Sequence, residues 1–172
     1  MGKVVWGIVA IYLAIGVALW SHQALAAPEL VAFSDARIAP GTIVIRNSEK
    51  RLYLVQHGGT ALRYSVAVGK RGKAWAGRTY ITGMHVRPAW APPAEVKRDL
   101  PHLPKVIAGG APNNPMGVAA MTLAGGEYAI HGTNRPDSIG RPVSYGCIRM
   151  HNRDIADLFR RVGVNTPVIA VN

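Results

Sequence analysis

The sequence predicts a mainly β domain of the α+β class with one or two short helices, and three observations predict it. Short β-branched and aromatic runs recur between glycine-bearing turns, a long middle stretch is too rich in Gly and Pro for helix, and one segment near the C-terminus has a clear helical period. Taken in order, "GTIVIRN" (41–47), "RLYLVQ" (51–56) and "ALRYSVAVG" (61–69) read as strands. The last two are joined through "HGGT", whose glycines supply the positive φ that a tight hairpin needs. Residues 69–115, with "GKRGKAWAG", "RPAWAPPAE" and "GGAPNNP", predict a loop-dominated surface with short strands. "MGVAAMTL" and "EYAIHG" predict two further strands flanking "AGG". A helix is predicted over 153–162: Asn152 can cap it, Asp154 suits its first turn, and Ile155, Leu158, Phe159 and Val162 follow i, i+3, i+4, i+7. "PVIAV" (167–171) predicts a closing strand. No internal repeat, low-complexity tract or linker interrupts this series, so one domain is expected.

The first residues carry a different signal. Lys3 precedes the 17-residue apolar run "VVWGIVAIYLAIGVALW" and then "ALAA", the order of n-region, h-region and small-residue cleavage site. Cleavage after Ala26 would satisfy the small-residue rule through Ala24 and Ala26, making residues 1–26 a signal peptide. The alternative is an uncleaved N-terminal membrane anchor, because the run approaches the roughly 17 to 25 residues that span a bilayer. Either outcome puts the domain outside the cytoplasm, in the periplasm or cell envelope. Removing 26 of the 172 residues takes away one lysine and no acid, so the net charge moves only from +11 to +10. An exported domain this basic is expected to meet an anionic envelope polymer or membrane surface rather than nucleic acid.

Cys147 in "SYGCIRM" is the chain's single cysteine, so it can form no internal disulfide. No C-x-x-C or H-x-x-x-H spacing accompanies it, which argues against a metal site. A small buried hydrophobe or a reactive thiol remain. A thiol at its ordinary pKa of about 8.5 is mostly protonated at neutral pH, so a nucleophilic cysteine needs a base or a positive neighbour. His131, sixteen residues earlier, sits at the end of a predicted strand, and Pro136, Gly140 and Pro142 favour a loop that returns the chain. Gly146 permits the tight turn and close backbone approach that an oxyanion hole requires, and losing one such donor typically costs about 3 to 4 kcal/mol. Arg149, two positions past Cys147, can fork onto a substrate carboxylate or form an ordinary surface ion pair.

"HGT", a connecting loop and "S-x-G-C-x-R" together, with "PAWAPPAEV" and "NNPMGVAAM" before them and "HNRDIADLF" and "TPVIAV" after, resemble the L,D-transpeptidase catalytic domain of bacterial cell-wall enzymes. The resemblance runs in family order over residues 41–171. It implies a β-sandwich or barrel, no cofactor and no metal. Cys147 resembles the nucleophile and His131 the general base, with the Gly132 carbonyl orienting the histidine. Backbone amides around Tyr145, Gly146 and Cys147 match the oxyanion hole. Arg149 matches an arginine that holds the donor peptide, Ser144 matches the motif serine that shapes the loop at the substrate, and Asn134 joins them as a substrate-binding candidate. Tyr145 departs from the family, where many relatives have histidine, and this bears on substrate fit. The implied partners are peptidoglycan stem peptides. A Cys147 thioester with a tetrapeptide stem would form with release of D-alanine. The amine of a second stem would then resolve it to a 3→3 cross-link, a lysine of an envelope protein would anchor that protein to the wall, and water would make the enzyme an L,D-carboxypeptidase. An idle wall-binding scaffold is the non-enzymatic alternative.

Overall fold

In the computed structural model, which describes residues 28–126 and 128–172, the early apolar runs form strands β1 (Glu29–Ala32), β2 (Ile43–Arg46), β3 (Arg51–Val55) and β4 (Thr60–Gly69). The proposed leader or anchor lies outside the described residues. Alternation along the strands sorts the side chains into two layers. Ile43, Ile45, Leu52, Leu54, Tyr64 and Val66 enter the main core, while Val44, Tyr53, Val55 and Ala61 face the other way and are covered by Phe33. These strands read as nearly continuous apolar runs because both of their faces are buried.

The middle third is more ordered than its composition predicts. It holds the ten-residue strand β5 (Gly77–Val86) and the short helix α1 (Ala94–Asp99). Only Ile81 of β5 is fully buried, so no apolar run marks the strand; pairing with both neighbours keeps it extended. Then follow β6 (Ala119–Leu123), β7 (Ala129–His131), β8 (Pro142–Ser144), β9 (Ile148–Met150), α2 (Asn152–Phe159) and β10 (Pro167–Val171).

The sheet runs β4-β3-β2-β10-β5-β6-β7-β9 and closes when β9 pairs back onto β4. β4 is long enough to serve both ends. Residues Arg63 to Ser65 and their predecessors pair with β3, Val66 and Ala67 pair with Met150 and Arg149 of β9, and Val68 and Gly69 meet β8. Closure leaves no open edge along this circuit, and β1 adds antiparallel to β4 outside it as an edge strand.

Helix α2 packs Ile155 and Leu158 into the core, with Phe159 and Val162 against its margin. The Tyr64 hydroxyl donates to Asp157 at 2.8 Å, and Arg161 grips the same carboxylate through two nitrogens at 2.8 and 3.0 Å. The helix departs from the sequence expectation at both ends. Its last residue is Phe159, with Val162 beyond it, and His151, not Asn152, occupies the N-cap position with no side-chain cap bond. The Asn152 side chain instead bonds backbone amides of Val118 and Thr133.

Candidate active site

β7 and β9 lie side by side and parallel, with Ile130 opposite Ile148 and His131 opposite Arg149. Cys147 immediately precedes β9, two residues before the register partner of His131. The period of two therefore puts Cys147, Arg149 and His131 on one side of the strand pair. All three line a cavity of about 290 Å³, as do Ser144 and Tyr145. Asn134 is exposed on the loop after β7 and is not among the cavity-lining residues.

His131 is 4% exposed, and its Nδ1 lies 2.7 Å from the Gly132 carbonyl. A carbonyl only accepts, so Nδ1 carries the proton and Nε2 keeps its lone pair. Burial, reinforced by the positive charge of Arg149, lowers the His131 pKa to about 4, with the Gly132 and Pro115 carbonyls pulling weakly the other way. The ring is thus a neutral base throughout the neutral range. Burial also pulls the Arg149 guanidinium below its ordinary value, opposed by the negative form of Cys147.

The sign of the His131 shift sets a pH dependence. The folded pKa of about 4 lies below the ordinary value of 6.5, so between these pH values the unfolded chain binds a proton that the folded chain refuses. Stability contributed by the neutral ring is complete above about pH 6.5 and drains away as pH falls toward 4. Urea midpoints measured across this window are expected to fall with pH in the wild type and to fall less in His131→Gln; parallel curves would refute the assignment.

The turn carrying Cys147 is held from beneath. Ser144 is buried, and its Oγ donates to the Cys147 carbonyl at 2.6 Å while accepting the Gly146 N–H at 3.1 Å. Both bonds stay within the loop, so Ser144 shapes the turn, and the Gly146 amide is already engaged. Gly146 has φ of +121°, and a Cβ there would run into the Tyr128 ring. Tyr128 stacks on Trp75 at 5.9 Å and 4°, and Trp75 Nε1 donates to the Gly146 carbonyl at 3.1 Å.

Asn152 supports the other half of the site. Its Oδ1 accepts the N–H of Thr133 at 2.9 Å and of Val118 at 3.3 Å, tying the strand end after His131 to the segment entering β6. Gly132 packs so closely on Asn152 Oδ1 and on the Met116 carbonyl that a side chain there would displace both. Sequence reading missed Asn152, Tyr128 and Trp75 as supports of the site. The available hints were an asparagine in the first turn of a helix close after Cys147 and an aromatic three residues before His131. Among the described residues no cluster of three metal-ligating side chains is present.

A family model for the L,D-transpeptidase catalytic domain, YkuD, matches residues 40–169. The chain belongs to this family. It is 38% identical over 135 residues to the probable L,D-transpeptidase YbiS of Escherichia coli strain K12, covering 73% of this chain and 43% of that protein. It is 37% identical over 134 residues to the probable L,D-transpeptidase ErfK/SrfK of Salmonella typhimurium, covering 73% and 42%. The chain thus spans less than half the length of these relatives. The fold is similar to that of an L,D-transpeptidase from Mycobacterium smegmatis, with a TM-score of 0.61 and 16% identity over 76% of this chain and 58% of that one. It is also similar to L,D-transpeptidase 3 from Mycobacterium tuberculosis, with a TM-score of 0.58 and 13% identity over 76% and 60%. The mainly β barrel with two helices is the architecture of L,D-transpeptidase catalytic domains.

Proposed function

We propose that this L,D-transpeptidase domain transfers the acyl group of a peptidoglycan tetrapeptide stem through Cys147. The observation that carries this is the placement of His131 at the end of β7 and Cys147 just before the parallel neighbour β9, lining one cavity, with the histidine tautomer pinned by Gly132. His131 Nε2 takes the thiol proton, and the thiolate sulfur attacks the diaminopimelate carbonyl next to the terminal D-alanine. Negative charge on the carbonyl oxygen is met by backbone N–H groups of the turn from Tyr145 to Cys147, the Gly146 amide being occupied by Ser144. Collapse expels D-alanine, whose nitrogen takes the proton back from His131, and leaves a thioester. Arg149, in register with His131 and half-buried, is placed to pair with a stem carboxylate.

The second half-reaction sends an amine to the thioester, most simply that of a second stem, to give a 3→3 cross-link. Water is present at tens of molar, so the acceptor must be oriented, and effective molarities of about 10⁵ M or more for well-placed groups are enough to overcome that excess. The segment from Gly69 to Pro115 supplies the opposite wall of the cavity through Lys73, Trp90, Glu95 and Val96. Each of the eight described carboxylates lies within ion-pair distance of a lysine or arginine, so the excess of 20 basic over 9 acidic residues is left for an anionic polymer. The signal-like segment 1–26 supports a place outside the cytoplasm, with the catalytic domain over 41–171.

Purified protein given tetrapeptide stems is expected to release D-alanine and form 3→3 dimer in excess over tripeptide, read by chromatography and mass spectrometry. Tripeptide alone at every acceptor concentration would make water the acceptor, and stems inert until a protein lysine is supplied would make the reaction one of protein anchoring. No release of D-alanine under any of these conditions would favour an idle scaffold.

A further inference from the structure

The turn that carries Cys147 reaches across to the opposite wall of the cavity through one side chain that the acyl-transfer chemistry does not use. The Tyr145 hydroxyl donates to Asp99 Oδ2 at 2.8 Å, at the last residue of α1. Lys70 Nζ lies 3.8 Å from the centroid of the same tyrosine ring and 3.8 Å from Asp99 Oδ2. The Lys70 amide in turn donates to the Ser144 carbonyl at 2.8 Å, so two of the partners of Asp99 are rooted in the nucleophile turn or bonded to it, the third being its helix neighbour Arg98 at 3.7 Å. At the start of α1, Glu95 pairs with Lys73 at 2.5 Å.

Beyond these contacts, α1 is tied by Lys97 Nζ to the Pro101 and Leu103 carbonyls of the loop that follows it, and by little else. It has six residues, no side-chain cap at its N-terminus, and Val96 as its one buried residue. A helix this short does not persist without tertiary contacts. Yet Glu95 and Val96 face the cavity that contains Cys147. The position of this wall therefore depends on the few polar contacts at its two ends. A tyrosine hydroxyl donating to a carboxylate is charge-assisted and stronger than an exposed ion pair. Asp99 is kept ionised for that role, its carboxyl held below the ordinary range by the Tyr145 hydroxyl first and by Lys70 after it.

We infer that Tyr145 is a positioning residue whose hydroxyl, bonded to Asp99, latches α1 in place as the wall against which the acyl donor is held opposite Cys147. Lys70 completes the latch by lying over the ring and facing the carboxylate. The inference rests on acyl transfer at Cys147. It assigns to the Tyr145 side chain a part in donor binding separate from its backbone, and makes Asp99, outside the cavity, a determinant of that binding.

The test uses Tyr145→Phe, Asp99→Asn and the double variant, assayed on tetrapeptide stems with D-alanine release as the readout. Each single variant is expected to raise KM about 10-fold, with a smaller fall in kcat, as loss of one hydrogen bond to a charged group implies. The double variant should match the singles, since all three break the same contact. Amide hydrogen exchange over residues 94–99 should quicken in all three while the melting temperature holds. Unchanged KM in both singles, effects that multiply in the double, or unchanged exchange in α1 would each overturn the latch. If the wild type itself releases no D-alanine, the acyl-transfer proposal fails, and the exchange comparison still decides whether Tyr145 and Asp99 hold α1.

Discussion

Cys147→Ala is expected to leave a folded protein that releases no D-alanine from tetrapeptide stems, a loss of about 10⁵-fold or more by analogy with removal of a nucleophile from a hydrolytic triad. The fold should survive because Cys147 is half-buried and precedes β9, while Ile148 and Met150 supply the strand's buried contacts. His131→Ala should fall nearly as far, and the double variant no further, because base and nucleophile act as a unit. Mass spectrometry after incubation with a carbapenem gives an independent readout: a covalent adduct on the wild type and none on Cys147→Ala. Turnover at the wild-type rate in Cys147→Ala would end the mechanism.

Gly146→Ala is the second change with a large expected effect, and it touches no reacting atom. The residue holds φ of +121°, a conformation that L side chains rarely adopt, and the added methyl would meet the Tyr128 ring. Tyr128 cannot simply step aside, because it stacks on Trp75, and Trp75 is itself bonded to the Gly146 carbonyl. The turn must move, carrying with it the Cys147 sulfur and the backbone amides proposed to meet the oxyanion. A shift of about 1 Å at a reacting group can cost about 100-fold, so acylation should slow by at least that factor while the melting temperature drops modestly. Single-turnover acylation measured by mass spectrometry checks this. Wild-type rates in Gly146→Ala would show that the geometry of the turn is not limiting. Trp75→Phe, which keeps an aromatic ring but loses the bond to the Gly146 carbonyl, should give a smaller loss in the same direction.

The parts of the fold that were legible in the sequence are those set by neighbours along the chain. The β3–β4 hairpin is readable because two apolar runs flank a glycine pair, and Gly58 and Gly59 do take positive φ. β5 was not readable, because Gly, Arg, Thr and His dominate it and its extended form is imposed by β6 on one side and β10 on the other. Asn152 shows the same limit at the scale of one residue. Its local preference is to cap a helix, but the amides of Thr133 and Val118 compete for the same oxygen, and both arrive from distant parts of the chain. Asn134 and Ser144 could not be told apart as substrate ligands from sequence, since whether a polar side chain faces a cavity, solvent or its own loop depends on the path of the backbone around it.

By itself the sequence determined the kinds of groups present: one thiol, a histidine ending a strand, a glycine before that thiol, and a strongly basic composition on a mainly β domain. These follow from residue identity and short-range spacing, the information a linear chain carries directly. Only the tertiary structure decided that β7 and β9 lie parallel, so that His131 shares a cavity with Cys147 and a strand register with Arg149. It also decided that burial lowers the histidine pKa to about 4, and that Tyr145 bonds to Asp99, 46 residues away. The physical reason is that desolvation, charge proximity and hydrogen-bond geometry are properties of what surrounds a group in space, and closure of the barrel brings together segments that the chain keeps far apart.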